Sequence, residues 1–304
     1  MPSGVLIIDK QRGMTSHDVV GAVRRMLGIR AVGHTGTLDT EASGLLVLCI
    51  GKATRFARFF ETLEKVYWTV LQLGICTTTQ DASGAIVRQC EVPALTRAEI
   101  TAVLHRFQGV LQQVPPMYSA VKYHGQRLYR LARQGQTVPR QAREILVREL
   151  VLLDQRPMHL TLRVTCSKGT YIRTLGEDIG LALGCGAHVL YLQRCRVGPF
   201  TLQEAHSLIG LQEKLQKQDI TQLLLPLPTA LSFLPSCTLT SEQYASLCRQ
   251  QVQVLPSVLQ TIQTLPQEAS GYRVCTLEQG AVAVLHRSGT VTEQSTWKVL
   301  SMPP

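Results

Sequence analysis

The sequence predicts a chain of the α+β class with two domains, and three observations support this. Segments with strand and helix patterns alternate without the regular strand–helix–strand repeat of parallel α/β folds. The chain has 304 residues, against a typical domain length of roughly 150 residues. A Pro-rich passage at 225–228, followed by Pro235, precedes a segment with the pattern of a small, mostly β module. We therefore expect one domain over 1–235 and a second over 236–304.

The first elements are predicted from apolar patterning and capping residues. An apolar run at 5–8 predicts a short buried strand. A capping box at 15–18 precedes apolar residues at helical spacing, which predicts a helix that ends near Leu27. A loop rich in Gly and Thr follows at 33–44, and the apolar run at 45–50 predicts a second buried strand.

The central part of the chain shows the same two kinds of pattern. β-branched and aromatic residues predict a strand at 65–73. A second capping box at 96–99 heads a predicted helix, which we expect Gly109 to stop. Residues 160–166 have a strand pattern, and residues 170–183 have a helical one.

The C-terminal module is predicted to contain one helix and two paired strands. The helix is expected near 241–248, and the strands at 272–277 and 281–286, joined by a turn at 279–280. We find no internal repeat and no low-complexity tract in the sequence.

Composition excludes several classes of protein. The longest apolar run, at 45–50, has six residues, far below the roughly 20 that cross a bilayer. No signal peptide can be identified at the N-terminus, so we expect a cytoplasmic protein. The nine cysteines are odd in number and form no CxxC pair, which argues against a disulfide framework or a zinc knuckle.

The basic residues concentrate in one segment. The formal net charge is +10, and residues 106–148 contain eight basic residues and one acid. Tyr118, Tyr123 and Tyr129 lie among these charges, and planar rings beside cations suit stacking on bases. The pattern indicates a nucleic-acid partner, with a solvated arginine-rich face as the alternative.

Two clusters contain residues able to carry chemistry. The loop at 33–44 has three glycines and presents one carboxylate, Asp39. Asp39 could instead cap a short helix beginning at Thr40, and the GXXG pattern at 33–36, seen in KH modules, is weak evidence alone. In the second cluster, at 166–176, Arg173 lies in the first turn of a predicted helix, where a cation opposes the helix dipole. Such an arginine is expected to have a partner or an anion to hold, with an ordinary surface residue as the alternative.

Five segments of the chain together resemble the TruB family of pseudouridine synthases, and the match runs collinearly from about residue 4 to residue 200. GHTGTLD at 33–39 and SKGTYIRT at 167–174 are highly specific to that family. The remaining segments are GVLIIDK with GMTS at 4–16, KVY at 65–67, PPMYSAVK at 115–122, and GCGAH at 184–188. The last third matches only in size and character. Gln11 and Thr40 occupy places where the family usually has proline.

The resemblance implies a fold and a reaction. The fold would be a mixed, mostly antiparallel β-sheet with flanking helices, followed by a small β-rich PUA-type domain. The reaction would isomerise uridine at position 55, in the T loop of tRNA, to pseudouridine on a flipped-out base. It needs no metal, redox carrier or nucleotide, so no cofactor is expected. The partner would be the T arm of tRNA, and we expect a monomer that uses no membrane.

By the same resemblance, three residues carry the chemistry. Asp39 matches the catalytic aspartate, which attacks the sugar or stabilises positive charge at C1′. Arg173 matches its ion-pair partner, which keeps the carboxylate charged in a dry site. Tyr67 matches a tyrosine that stacks on the target base and whose hydroxyl is a candidate for the final proton transfer. Taken alone, Tyr67 could be an ordinary strand aromatic.

The resemblance also assigns RNA contacts. His34 matches a histidine that enters the T loop. Tyr171 is expected near the base, with core packing as its alternative, and Lys10 close to the site, with a structural salt bridge as its alternative. The basic segment, about 110–148, aligns with an insertion that folds over the tRNA arm. Its expected contact residues are Met117, Lys122, Arg127 and Arg130.

Two other functions use the same residues. A non-catalytic RNA-binding protein or RNA chaperone would need no ionised Asp39. A nucleobase glycosylase would use a similar aspartate and release free base.

Overall fold

The computed structural model describes residues 2–240, 242, 272–276, 282–288 and 296–302. The strands in these ranges are β1 (Gly4–Lys10), β2 (Val32–His34), β3 (Ser43–Ile50), β4 (Lys65–Leu73), β5 (Ile75–Thr77), β6 (Ile86–Gln89), β7 (Gly109–Gln113), β8 (Lys122–Tyr123), β9 (Gln126–Arg127), β10 (Arg143–Arg156), β11 (His159–Cys166), β12 (Ala187–Val197), β13 (Phe200–Thr201), β14 (Ser236–Thr238), β15 (Tyr272–Thr276), β16 (Val282–Ser288) and β17 (Thr296–Met302). The α-helices are α1 (Ser16–Leu27), α2 (Ala57–Glu61), α3 (Arg97–His105), α4 (Leu128–Arg133), α5 (Ile172–Ala182), α6 (Leu208–Leu215) and α7 (Leu227–Ala230). None of the helices in the described ranges is long and apolar enough to cross a membrane.

A nine-stranded sheet forms the centre of the molecule, and the predicted α+β class is confirmed. Its strands follow the order β1-β3-β12-β4-β11-β10-β7, with β2 paired to β3 and β13 to β12. Neighbouring strands are antiparallel except β3 and β12, which are parallel. The centre of this order is β4, between β11 and β12.

Alternation along β4 places its side chains on two different surfaces. Tyr67, Leu71 and Leu73 face the main core, whereas Trp68 is 50% exposed on the opposite face. In contrast, β3 is buried along nearly its whole length, because apolar clusters cover it on both faces. The strand that carries Tyr67 is therefore fixed by hydrogen bonds on both sides and by a core on one face.

The first helix follows the sequence prediction closely. Thr15 and Asp18 form the capping box, in which each side chain accepts a hydrogen bond from the other residue's backbone N–H. The helix ends at Gly28, which has a φ of +65°. Its apolar face buries Val19, Val20 and Val23, and this packing places the N-terminus of α1 under the loop at 33–44.

Two predicted boundaries are wrong. The helix expected to stop at Gly109 ends at His105, because residues 106–108 continue as turns whose N–H groups bond three residues back. Gly109 instead opens strand β7, with a φ of +91°. The loop predicted at 33–44 also begins inside a strand, since Gly33 and His34 belong to β2, which pairs with the last three residues of β3.

The last part of the described chain forms a separate four-stranded sheet in the order β14-β15-β16-β17. Strands predicted at 272–277 and 281–286 correspond to β15 and β16. The predicted helix near 241–248 and the turn at 279–280 lie outside the described residues. Val284 packs into the apolar cluster that includes Phe56 and Phe60. The boundary at 235 stays a prediction.

Candidate active site

The loop at 33–44 is held from both sides and presents Asp39 at a cleft. The Ser16 hydroxyl donates to the Leu38 carbonyl at 3.0 Å and accepts from the Leu38 N–H at 2.8 Å. The Ala42 N–H closes a turn on the Asp39 carbonyl. At Gly44, with a φ of +105°, a Cβ would lie 2.3 Å from the backbone oxygen of Arg194. Only glycine fits there, so β12 can approach the end of the loop closely.

Lys10 lies behind this loop and not among the residues that line the cleft. Its side chain is fully buried, and its Nζ donates to the carbonyls of Ala42 (2.6 Å), Met14 (2.7 Å), Gln11 (3.0 Å) and Thr40 (3.5 Å). Burial lowers the pKa of Lys10 to about 8. The contacts support the backbone next to Asp39, so Lys10 is a support of the loop, and its role in binding a substrate stays a prediction.

These contacts also bear on the two departures from the family pattern. Gln11 and Thr40 each direct a backbone carbonyl at the Lys10 ammonium group. The Thr40 carbonyl additionally accepts from the Gly13 N–H at 2.8 Å. Hydrogen bonds therefore restrain both positions where the family usually has proline.

Arg173 joins the Asp39 loop to two other segments. Its Nε lies 2.8 Å from Asp39 Oδ2, while its two terminal nitrogens donate to the carbonyls of Thr79 (2.9 Å) and Tyr118 (2.8 Å). The Arg173 side chain is 5% exposed and that of Asp39 is 38% exposed. The guanidinium thus forms the floor under a carboxylate that remains open to the cleft.

Asp81 is a second carboxylate at this guanidinium and was missed by the sequence analysis. Its Oδ2 lies 3.7 Å from Arg173 Nε. Its Oδ1 accepts hydrogen bonds from the hydroxyls of Thr79 and Ser83, each at 2.6 Å. An aspartate in a Thr- and Ser-rich turn has the ordinary appearance of a turn residue, so local sequence gave no sign of its place beside Arg173.

Gln113 fixes the start of the helix that carries Arg173. Its amide accepts from the Tyr171 N–H at 2.8 Å and donates to the Tyr171 carbonyl at 3.0 Å. Tyr171 is the N-cap residue of α5 and has no side-chain cap of its own. The buried Gln113 therefore supplies a cap from the last position of β7, which no local pattern could indicate.

A cleft of about 620 Å³ opens above these residues. His34, Asp39, Tyr67 and Tyr171 all line it. Burial raises the pKa of Tyr67 and of Tyr171, and burial together with the charge of Arg194 lowers the pKa of His34. The cleft therefore favours neutral rings near the carboxylate of Asp39, an arrangement suited to holding a flat, uncharged base beside an anion.

Two further cations at the cleft were also missed by the sequence analysis. Lys65 donates its Nζ to the carbonyls of Glu61 (2.6 Å) and Leu63 (2.5 Å), and burial lowers the pKa of Lys65 to about 8. Arg194 is 2% exposed and bonds to three carbonyl groups. Both look like strand residues in the sequence, because burial and partners from other segments define their roles.

The predicted RNA-contact residues of the basic segment lie outside the lining of the cleft. Lys122, Arg127 and Arg130 are exposed, and Met117 is half-buried. Leu128 and Leu131 anchor α4 by burial. Both ends of the segment at 110–148 belong to the central sheet, as β7 and the start of β10, so only 114–142 projects beyond it.

Comparisons with known proteins agree with this architecture. The model of the TruB family pseudouridylate synthase N-terminal domain matches residues 24–172, and that of the tRNA pseudouridylate synthase B C-terminal domain matches residues 173–232. tRNA pseudouridine synthase B of Chromohalobacter salexigens is 46% identical over 233 residues, which is 77% of this chain and 76% of that protein. The Coxiella burnetii enzyme of the same name is 42% identical over 257 residues, covering 84% of this chain and 83% of that one. A crystal structure of a Cbf5-Nop10-Gar1 complex shares the fold, with a TM-score of 0.74 at 24% identity over 99% of this chain and 84% of that chain.

Proposed function

This chain belongs to the TruB family of pseudouridine synthases and isomerises uridine in tRNA, and we propose that its target is the uridine at tRNA position 55 in the T loop. The observation that carries the proposal is the pairing of Asp39 with Arg173 at the mouth of a cleft lined by Tyr67 and Tyr171. A single exposed carboxylate on a buried guanidinium suits chemistry at a sugar carbon that develops positive charge.

The proposed reaction changes connectivity and leaves composition unchanged. The bond between N1 of uracil and C1′ of the ribose breaks, and its electron pair leaves with the base. Asp39 attacks C1′ or stabilises its positive charge during this step. The uracil turns within the cleft, C5 bonds to C1′ and displaces the Asp39 carboxylate where that has bonded to C1′, C5 loses its proton, and N1 gains a proton.

Tyr67 and His34 are proposed to hold the RNA in the conformation that this reaction needs. The target base must leave the stack to reach Asp39, which costs a few kcal/mol. Stacking on the ring of Tyr67 recovers roughly 1–3 kcal/mol. His34, on the rim of the same cleft, is proposed to fill the space that the flipped nucleotide leaves in the T loop.

The remaining contacts are proposed to come from the T arm. The exposed basic residues at 114–142 lie on a segment that projects from the sheet, and the phosphates of an RNA stem match their charge. The four-stranded C-terminal sheet is proposed as an RNA-binding module of the PUA type. The protein is proposed to act on tRNA as a monomer in the cytoplasm.

A direct assay separates this function from its two alternatives. The protein is incubated with an unmodified T-arm hairpin without added cofactors, the RNA is digested to nucleosides, and the products are separated. A hairpin with cytidine at the target position serves as the control.

Pseudouridine from the uridine hairpin alone supports the proposal. Free uracil with an abasic site would indicate a glycosylase. Bound but unchanged RNA would indicate a binding protein, and either of these two results contradicts the proposal.

A further inference from the structure

Arg194 places a buried guanidinium between the Asp39 loop and the strand that carries Tyr67. Its Nε donates to the Leu45 carbonyl at 2.7 Å. Its terminal nitrogens donate to the carbonyls of Thr37 and Gly36, each at 3.2 Å. Those two carbonyls belong to the residues shortly before Asp39, whereas Leu45 follows the loop. One side chain therefore bonds to both ends of the loop.

The backbone of Arg194 holds the same loop at a second point. Arg194 pairs with Gly44 in the parallel contact between β12 and β3. The absent side chain of Gly44 permits this approach, since a Cβ there would overlap the Arg194 carbonyl. Side chain and backbone thus fix the beginning and the end of the loop relative to β12.

Arg194 is also a neighbour of Tyr67, which lines the same cleft as Asp39. On the other side, β12 pairs with β4, where Arg194 lies opposite Tyr67. A side-chain hydrogen bond and the charge of Arg194 lower the pKa of Tyr67, against the larger effect of burial, which raises it. Arg194 therefore adjoins both the loop that presents the carboxylate and the residue that supplies the phenol of the same cleft.

The burial of the Arg194 guanidinium also supports a role for this residue in the candidate active site. Among the residues that the structure describes, no carboxylate forms an ion pair with Arg194. Burial of a cation without an anionic partner is costly, and packing alone would be served as well by an apolar side chain. Arg194 is therefore distinguished by its hydrogen bonds to three carbonyl groups and not by an ion pair.

We propose that Arg194 is a positioning residue, which sets the distance between the Asp39 carboxylate and the Tyr67 ring by bonding to the loop and lying beside Tyr67 on the neighbouring strand. Asp39 and Tyr67 would act on opposite sides of the same nucleotide. A displacement of either by about 1 Å can lower a rate about 100-fold. The inference deepens the proposed function and rests on it.

The test compares Arg194→Lys with Arg196→Lys. The first keeps the charge and loses the planar fork that reaches separate carbonyls. The second is a matched control on the same strand, where Arg196 is half-exposed and pairs with Glu64 at 3.6 Å. For each variant, the Kd for the T-arm hairpin, the single-turnover rate at saturating protein and the thermal unfolding curve are measured.

We expect Arg194→Lys to bind the hairpin as the parent does and to react about 100-fold more slowly, whereas Arg196→Lys matches the parent in rate. The rate loss caused by Arg194→Lys should be much smaller when Tyr67 is already replaced by Phe, because that variant has no hydroxyl for Arg194 to position. Hydrogen exchange supplies a readout that needs no turnover: the amides of residues 35–42 should lose protection in Arg194→Lys alone.

Other results overturn the inference. Turnover by Arg194→Lys at the parent's rate would show that Arg194 does not set the distance between Asp39 and Tyr67. The same conclusion would follow if the rate losses of Arg194→Lys and Tyr67→Phe were additive in the double variant. Arg194→Gln provides a neutral variant with a smaller burial cost, and failure of both variants to fold would make Arg194 a residue of the fold only. Failure of the proposed function is distinct, since the parent and Arg196→Lys would then both leave the hairpin unchanged.

Discussion

The guanidinium of Arg173 bonds to acceptors from three separate segments, with one nitrogen for each of Asp39, Thr79 and Tyr118. A lysine has a single point-like ammonium group and cannot reach all three acceptors. We therefore expect Arg173→Lys to retain hairpin binding and to lose about 100-fold in single-turnover rate, since the carboxylate is no longer held in place. Rapid-quench kinetics with excess protein measure this rate. Turnover near the parent's would remove Arg173 from the proposed mechanism.

Asp39→Asn tests the carboxylate itself. The two side chains are almost the same size, and an amide oxygen can still accept the Arg173 hydrogen bond, so folding and RNA binding should be retained. Turnover should become undetectable, because the group that attacks or stabilises C1′ has lost its charge. Nucleoside analysis after a long incubation measures the product. Appreciable pseudouridine formation by this variant would contradict the assignment of Asp39 as the catalytic carboxylate.

Tyr67 allows stacking and proton transfer to be separated. Tyr67→Phe keeps the ring, so it should bind RNA nearly as the parent does, whereas Tyr67→Leu should bind less tightly by roughly 1–3 kcal/mol. If the hydroxyl serves the proton step, the Phe variant reacts slowly even when RNA is saturating. A substrate deuterated at C5 would then show a larger isotope effect with Phe. Parent-like turnover by both variants would leave Tyr67 a packing residue of β4.

At the scale of elements, α4 is held by two buried leucines and presents its arginines outward. Replacing Arg127, Arg130 and Arg133 with alanine should reduce the salt dependence of RNA binding, because each lost phosphate contact removes roughly 0.7–0.9 from the log–log slope. The affinity for different T-arm sequences should fall alike. Arg156→Ala is a suitable control, since Arg156 is an exposed arginine that pairs with Asp154 at 3.1 Å. An unchanged slope in the triple variant would mean that neither Arg127 nor the arginines of α4 contact RNA.

Elements with a local signal were predictable, and contacts between distant elements were not. The capping boxes at Thr15 and Thr96 and the β-branched and aromatic residues of β4 are local signals, and the structure contains both helix starts and the strand. Asp39 and Arg173 stood out in their local sequence, but the roles predicted for them and for Tyr67 came from the resemblance to a family. Asp81 and Gln113 act through partners from other segments, and nothing in their own surroundings in the sequence could indicate this.

At the scale of the whole molecule, Lys10 links stability to pH. Burial lowers the pKa of Lys10 from 10.5 to about 8. Between these two pH values Lys10 has lost its proton in the folded protein but still carries it in the unfolded chain. The free energy of unfolding therefore rises with pH across this window, and the gain is lost again as pH falls to about 8. Urea unfolding of the parent and of Lys10→Met at several pH values measures the effect.

The parent should gain stability relative to Lys10→Met across this pH window. Buried tyrosines and cysteines, whose pKa values are raised, are common to both proteins and cancel in the comparison. A difference that stays constant or shrinks as pH rises would contradict the burial of a titrating ammonium group at this position.

The order of the central strands determines how much of the chain must be synthesised before the candidate active site can form. Its middle strand, β4, pairs with β11 and β12, which leave the ribosome much later. Asp39 and Arg173 are 134 residues apart in the chain, and Arg194 is more distant still. Pairings this far apart in sequence make folding slow. A growing chain therefore carries its carboxylate long before it has the arginines that orient it, and catalysis begins only after β12 has been synthesised and inserted beside β4.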